Sequence, residues 1–395
     1  MQDLLKGLRV IDMTTVVLGP YATQVLGDFG AEVIKVESLS GDVFRYVRPG
    51  RSQTMGAGYI NCNRNKKSIA LDLKSEQGRK VFNKLLETAD VVVHNMRDKT
   101  ASKLGASYEA VKKVNERIVY CSAPGYGQDG LYADEPAYDD IIQAASGIAH
   151  LNTDINGEPR FLPTIICDKV GGLHLALAVL GGIAHRLKTG KGCAVEAPMF
   201  ESMVSFLMVE QLAGQSFSPP IGGTGYERLQ SPYRRPFATA DGYISVLPYT
   251  TKHWVGFLKL AGRDDLVSED YVVNPVVRSE NINNLYKIIA EVTPERTTDE
   301  WVAILRAADI PCSRVNSIAD LLEDEHLKSV NFFTHYEHPS EGSMQGVRSP
   351  ITVKGMTPSE DLPPPTLGEH TMDTVQRLGI PESQIDVMKR EGNLR

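Results

Sequence analysis

Residues 8–37 read LRVIDMTTVVLGPYATQVLGDFGAEVIKVE, and this stretch decides the fold class. Residues 8–12 form a short apolar run, and residues 31–36 form a second one of the same kind. Between them, residues 14–20 read as a loop with Gly19 and Pro20 as breakers. Residues 21–26 read as a helix that stops in a turn at Gly27, Asp28 and Gly30. Two strands joined through a helix make a βαβ unit, and such a unit implies a parallel sheet. The alternation continues downstream. Residues 68–73 are extended, and 75–89 form an amphipathic helix with Val81, Leu85 and Leu86 on one face. Residues 90–94 and 117–121 are apolar strands. The expected architecture is α/β, with a large Rossmann-like open-sheet domain.

A long helix opens at Asp168. Leu173, Leu177, Leu180, Ile183 and Leu187 recur along it at three- and four-residue spacing, and glycines at 190 and 192 supply its stop. A further helix covers 198–212. Ser, Pro and Gly dominate 214–230 and mark a junction. Beyond it, short strands such as 243–247 mix with helices over 254–260, 282–292 and 298–307, which predicts a smaller α+β domain. Residues 336–365 read as strand and loop, and 382–391 as a surface helix. The expected division is a large domain over 1–213, a linker and glycine loop over 214–232, a small domain over 233–330 and a C-terminal segment over 331–395.

The chain has 395 residues, 42% of them hydrophobic and 23% charged, which suits a globular protein of two domains. Its net charge of −7 disfavours general nucleic-acid binding, which needs a basic surface. The five cysteines are scattered and form no CxxC pair, so neither a zinc site nor a disulfide framework is expected. Reduced thiols and a cytoplasmic location are the simple reading. The most apolar run, 170–184, contains His174 and is followed by His185 and Arg186, so a buried helix is expected rather than a membrane span.

Four places could carry chemistry. The first βα loop lacks the GxGxxG of a dinucleotide site, so Glu37 reads as a solvent-facing carboxylate at a strand end. The basic run from Asn63 to Ser68 fits either a phosphate-neutralising cluster or a solvated loop. Asp139 and Asp140 read as polar surface. Asp168 fits either an ordinary helix N-cap or a nucleophile. Two glycines just beyond it would admit a bulky ligand, and an aspartate with a reference pKa of ~3.9 is ionised at neutral pH. Cys167 beside it reads as a small buried residue, with His174 about two helical turns away.

The ordered set of segments resembles the class III CoA-transferases, the carnitine, bile-acid and formyl-CoA transferase family. The likeness runs through residues 7–12, 26–37, 63–74, 90–95, 125–130, the Asp168 segment and 364–371. The resemblance implies an interlocked homodimer and a C-terminal segment that returns to the large domain. It implies coenzyme A as the substrate carrier and no metal. It places the nucleophile on Asp168 and the CoA-contacting loop on Val16, Val17 and Leu18. It places contacts near the nucleotide on Leu71, Lys74, Asn95, Met96 and Lys103. Tyr138 falls near the acyl group, and the glycine loop falls on Gly222, Gly223 and Gly225. Two departures stand out: Met96, Asp98 and Lys99 replace the family's frequent Phe, Pro and Gly, and Thr224 interrupts the glycine loop.

The activity so implied moves CoA from an acyl-CoA, with succinyl-CoA a frequent donor in the family, to a free carboxylic acid. The route runs through an aspartyl mixed anhydride and an aspartyl-CoA thioester. A 2-methylacyl-CoA racemase shares the fold, but that branch carries a histidine where this chain has Tyr138, and a phenol of pKa near ~10 is a poor acid/base partner. A non-catalytic CoA-binding protein is the third reading, which the retained Asp168 disfavours.

Overall fold

The computed structural model describes residues 1–154 and 156–395, which divide into two compact units. The first comprises residues 1–207 and 332–395, and the second residues 208–331. The division falls inside the helix Met199–Gln211.

The first unit is built on β1 (Arg9–Asp12), β2 (Glu32–Glu37), β3 (Lys66–Ala70), β4 (Val91–His94), β5 (Val119–Ser122) and β6 (Cys193–Glu196). All pair in parallel, in the order β3-β2-β1-β4-β5-β6. This is the doubly wound order, with its reversal between β1 and β4. Successive side chains of a strand point to opposite faces, so a sheet covered on both sides needs near-continuous apolar strands. Val10, Val33, Val91, Val93 and Val119 face one core with the helices Leu18–Asp28 and Ile166–Thr189. Ile11, Ile34, Val36, Val92 and Tyr120 face the other with the helices Glu76–Glu87 and Glu382–Arg390. The edge strand β3 is covered by the chain's end: Ala70 N–H donates to Thr371 Oγ1, and Arg395 N–H donates to the Ala70 carbonyl. Covering an edge removes a template for unwanted pairing.

The sequence reading misplaces one helix start and misses one strand here. Helix Leu18–Asp28 begins earlier than expected and contains Gly19 and Pro20. Proline is tolerated there because first-turn N–H groups have no intrahelical partner. Strand β6 is an addition: as the outer edge strand it alternates half-buried and exposed positions and lacks the continuous apolar run of the inner strands. Ile166–Thr189 is, among the described residues, the one helix long and apolar enough to cross a membrane. Its Leu175, Val179 and Ile183 lie in the core against β5 and β6.

The second unit pairs β7 (Phe237–Ala238), β8 (Tyr243–Val246) and β9 (Cys312–Arg314) antiparallel. Trp254, Phe257, Ile289 and Trp301 fill its core. A capping box at Thr297 and Glu300 starts the helix Thr298–Ala307. In this unit Gly222 and Gly223 are held locally: Gly214 N–H donates to the Gly223 carbonyl at 3.1 Å, and Gln215 Nε2 to the Gly222 carbonyl at 2.7 Å. Gly225 has φ of 98°, a backbone that favours glycine.

Candidate active site

In a doubly wound sheet the loops at the carboxyl ends of the strands open a crevice at the point where strand order reverses. Here that crevice is a cavity of about 510 Å³. Met13 and Thr15 line it from the end of β1, residues 37–42 from β2, Leu71 and Lys74 from β3, and Met96 and Leu104 from the β4 side. Among the described residues, no acid pairs with Lys74, so it stands as a free cation at this cavity. Lys103 is exposed at the end of the helix Asp98–Lys103, next to Leu104, and does not line the cavity.

The floor is set by buried charge. Asp12 accepts from Thr14 N–H and Oγ1, from Thr23 Oγ1 and from Lys66 Nζ. Lys35 Nζ donates to the Thr14 carbonyl at 2.7 Å and to Asp42 Oδ2 at 3.0 Å. Glu37 accepts from Arg45, Ser68 and Asp42 N–H. Burial opposes the charge on Lys35, but Asp42 and Asp12 outweigh it and raise its pKa. Burial lowers Lys66 to about 8 despite Asp12 beside it. Two expectations are corrected here. Glu37 is buried and ion-paired rather than solvent-facing, because Arg45 folds back over β2. The basic run is neither a phosphate cluster nor a solvated loop: Arg64 pairs with Asp28, Lys66 with Asp12 and Lys67 with Glu32.

His94, one residue before Asn95, is likewise structural. Its Nδ1 accepts from Met96 N–H at 3.2 Å, so Nε2 carries the proton and donates to Tyr120 Oη at 2.6 Å. Burial lowers its pKa to about 4. Asn95 closes a two-way clamp on the first-strand loop, accepting from Thr15 N–H and donating to the Thr15 carbonyl, both at 3.0 Å.

Asp168 is the third residue of the helix Ile166–Thr189, not its cap. The cap comes from Asp139, whose Oδ1 accepts from Cys167 N–H at 2.7 Å and Asp168 N–H at 3.1 Å. Gln143 donates to Asp139 Oδ2 at 2.6 Å and accepts from Leu162 N–H with its other end. Asp139 is therefore buried and structural, which corrects its reading as polar surface; Asp140 beside it is exposed. Sequence could have hinted at it through the i,i+4 spacing to Gln143 and the apolar Ile142 between them. Among the described residues, nothing hydrogen-bonds the Asp168 carboxylate itself. Burial, and then the charge of Asp139, push its pKa up to about 7. It is thus more basic than an ordinary aspartate and holds its proton to higher pH. The Cys167 thiol is pushed to about 12, mainly by burial, and is no nucleophile.

The first-strand loop joins this carboxylate to the cavity. Thr15 lines the cavity, while Leu18 packs on the Asp168 helix. A Cβ on Gly171 would meet Leu18 Cδ1 at 2.7 Å, and one on Gly172 would meet the Leu18 carbonyl oxygen at 2.6 Å. Val17 and Leu18 bury their side chains, so what they can offer a ligand is backbone N–H. Tyr138 precedes Asp139 and is 70% exposed. The structure therefore gathers Val16, Val17, Leu18, Asn95, Leu71, Lys74, Met96, Tyr138 and Asp168 at the carboxyl end of one sheet. Gly222, Gly223 and Gly225 belong to the second unit.

Fold and site together define a class: a doubly wound α/β protein with a ligand crevice at the strand reversal and a desolvated carboxylate beside it. The sequence profile described as CoA-transferase family III matches residues 5–371, and the chain belongs to that family. Succinyl-CoA:glutarate CoA-transferase from Homo sapiens is 32% identical, covering 95% of this chain and 86% of the relative. Succinyl-CoA:mesaconate CoA-transferase from Haloarcula hispanica is 30% identical, covering 95% and 96%. The crystal structure of a CaiB/BaiF family protein from Brucella suis superposes with a TM-score of 0.80 at 28% identity, covering 96% of this chain and all of that one. The protein is a class III CoA-transferase.

Proposed function

We propose that this enzyme moves CoA from succinyl-CoA to a free dicarboxylic acid through a covalent intermediate on Asp168. The observation that carries the reading is the Asp168 carboxylate itself: buried, without a hydrogen-bond partner among the described residues, raised to about 7, and joined to the crevice by one short loop. A desolvated carboxylate is a stronger nucleophile than a solvated one and needs no separate base. The relatives' names, which pair succinyl-CoA with glutarate and with mesaconate, support the donor and the acceptor class.

In this reading the nucleotide end of CoA lies by Leu71, Lys74 and Met96, with Lys103 near the phosphates. The pantetheine arm follows the loop through Val16, Val17 and Leu18 to the acyl group beside Tyr138. Ionised Asp168 attacks the donor thioester carbon, giving a mixed anhydride and CoA thiolate. The thiolate attacks the aspartyl carbonyl, which forms an aspartyl-CoA thioester and releases the donor as a carboxylate. The acceptor carboxylate attacks that thioester, and the returning thiolate takes the new acyl group and frees Asp168. Thioester is exchanged for thioester, so no nucleoside triphosphate is consumed. The N–H groups of Val17, Leu18 and Gly19, free among the described residues and at the start of a helix, are suited to hold the oxyanion. Both anhydride and thioester hydrolyse readily, so water must be kept out.

We assign the active form to an interlocked homodimer in the cytoplasm. Leu173, Leu177 and Leu187 lie exposed along the Asp168 helix, an apolar stripe that a partner would cover. The five cysteines are free thiols, in keeping with a reducing compartment.

The test offers the enzyme succinyl-CoA and a panel of acids, with new thioesters followed by mass spectrometry. New CoA esters are expected for dicarboxylic acceptors. Parallel incubation of a 2-methylacyl-CoA in deuterated water should leave its α-carbon unlabelled. Rapid α-deuteration without acceptor, and no CoA exchange over the whole panel, would instead mark a racemase.

A further inference from the structure

The loop between β1 and its helix takes a conformation its own residues do not favour. Val16 has φ of 68°, in the left-handed region, where a β-branched side chain is crowded by the backbone. Something outside the loop must hold it there. Thr14 is tied by Asp12 and Lys35, and Thr15 by Asn95 at both its N–H and its carbonyl. Among the described residues Val16 itself has one tie: its N–H donates to Asp42 Oδ1 at 3.1 Å. Asp42 is fully committed. The same oxygen accepts from Phe44 N–H, the other accepts from Lys35, and its own N–H donates to Glu37. Both side chains of the Lys35–Asp42 pair are completely buried.

We infer that Asp42 is a positioning residue for CoA transfer: through the Val16 N–H it fixes the turn that aims the free N–H groups of Val17, Leu18 and Gly19 and seats Leu18 against the Asp168 helix. It does not touch the reacting atoms. Its own loop, residues 37–42, lines the cavity, so the same carboxylate ties the cavity wall to the turn. The inference rests on the assignment of that crevice and of Asp168 to CoA transfer.

A strained residue offers its own control, because glycine adopts the left-handed region without restraint. Asp42→Ala should lower kcat by about tenfold or more, as misplaced groups do. KM for the acyl-CoA should rise by less than kcat falls, because the turn serves the reacting end as well as the bound pantetheine arm. In a Val16→Gly background the same Asp42→Ala change should cost less than about threefold in kcat, a non-additivity expected only of directly coupled residues. Asp42→Ala strands a buried lysine, so a second series removes that charge. In a Lys35→Met background, Asp42→Asn keeps an acceptor for Val16 N–H and Asp42→Leu does not. The Asn form should keep the Val16 amide protected from hydrogen exchange and retain kcat, and the Leu form should lose both. Equal kcat for the Asn and Leu forms, or an Asp42→Ala loss that is undiminished in the Val16→Gly background, would overturn the inference. Failure of the nucleophile assignment shows separately, as transfer that survives Asp168→Ala while amide protection still follows the acceptor at 42.

Discussion

At the residue scale, the chemistry and the stability of Asp168 pull in opposite directions. Burial, and then Asp139, raise its pKa to about 7, so the fold favours the protonated acid. Below the ordinary carboxylate pKa of ~3.9 both folded and unfolded states hold the proton, and the group carries no penalty. The penalty grows as pH rises from there and is complete above about 7. Its size is on the order of a few kcal/mol. Asp168→Asn should therefore abolish transfer yet raise Tm, by more at pH 8 than at pH 4.5, as removing a strained functional group often does. Equal Tm shifts at the two pH values would contradict the raised pKa. Activity should show the same group from the other side: kcat/KM should rise with pH through about 7 as Asp168 ionises. Asp139→Asn removes the neighbouring negative charge, favours ionisation and should move that limb to lower pH. A limb that stays in place would mean that Asp168 is not the titrating group.

At the scale of elements, the close crossing of two helices makes the site. Gly172 lets the Asp168 helix lie on the Leu18 carbonyl, where a Cβ would stand 2.6 Å from the oxygen. Gly181, nine residues along the same helix, has nothing within 4 Å of where its Cβ would be. Gly172→Ala should lower stability by about 1–3 kcal/mol through overpacking and reduce transfer. Gly181→Ala meets no atom of its own chain and should be the milder change, since helix propensity favours alanine there. Thermal melts of the two variants check this, and an equal or larger loss for Gly181→Ala would refute it. The two glycines look alike in the sequence, which shows where legibility ends. Residues 8–37 can be read as strand, helix and strand because apolar runs and breakers are local signals. Asp168 stands out as a carboxylate in the first turn of a helix. What caps that helix cannot be read, because Asp139 meets it across 29 positions of sequence. For the same reason the run from Asn63 looks like free cations. Each has its acid far away in the chain, at Asp28, Asp12 or Glu32.

At the scale of the whole molecule, the proposed active form contains a second copy of the chain. The interlocked arrangement is what the family likeness implies, and no periodicity could reveal it; the exposed Leu173, Leu177 and Leu187 would give it a physical motive. Sedimentation at low concentration should show dimer and no monomer, since threaded subunits cannot separate without unfolding. An active monomer would rule that arrangement out. Placing a charge on the stripe, as in Leu177→Asp, should reduce the yield of folded protein rather than produce a stable monomer, because an obligate dimer has no folded half to fall back on.

The central claim is that Asp168 bonds covalently to coenzyme A. It is tested most directly by mixing the enzyme with succinyl-CoA without acceptor, quenching in acid, digesting and mapping by mass spectrometry. A CoA thioester on the peptide that contains Asp168, absent from Asp168→Ala and discharged by adding an acceptor acid before the quench, is the predicted result. An adduct on another residue, or transfer by Asp168→Ala within about tenfold of wild type, equal to only ~1.4 kcal/mol of barrier, would contradict it.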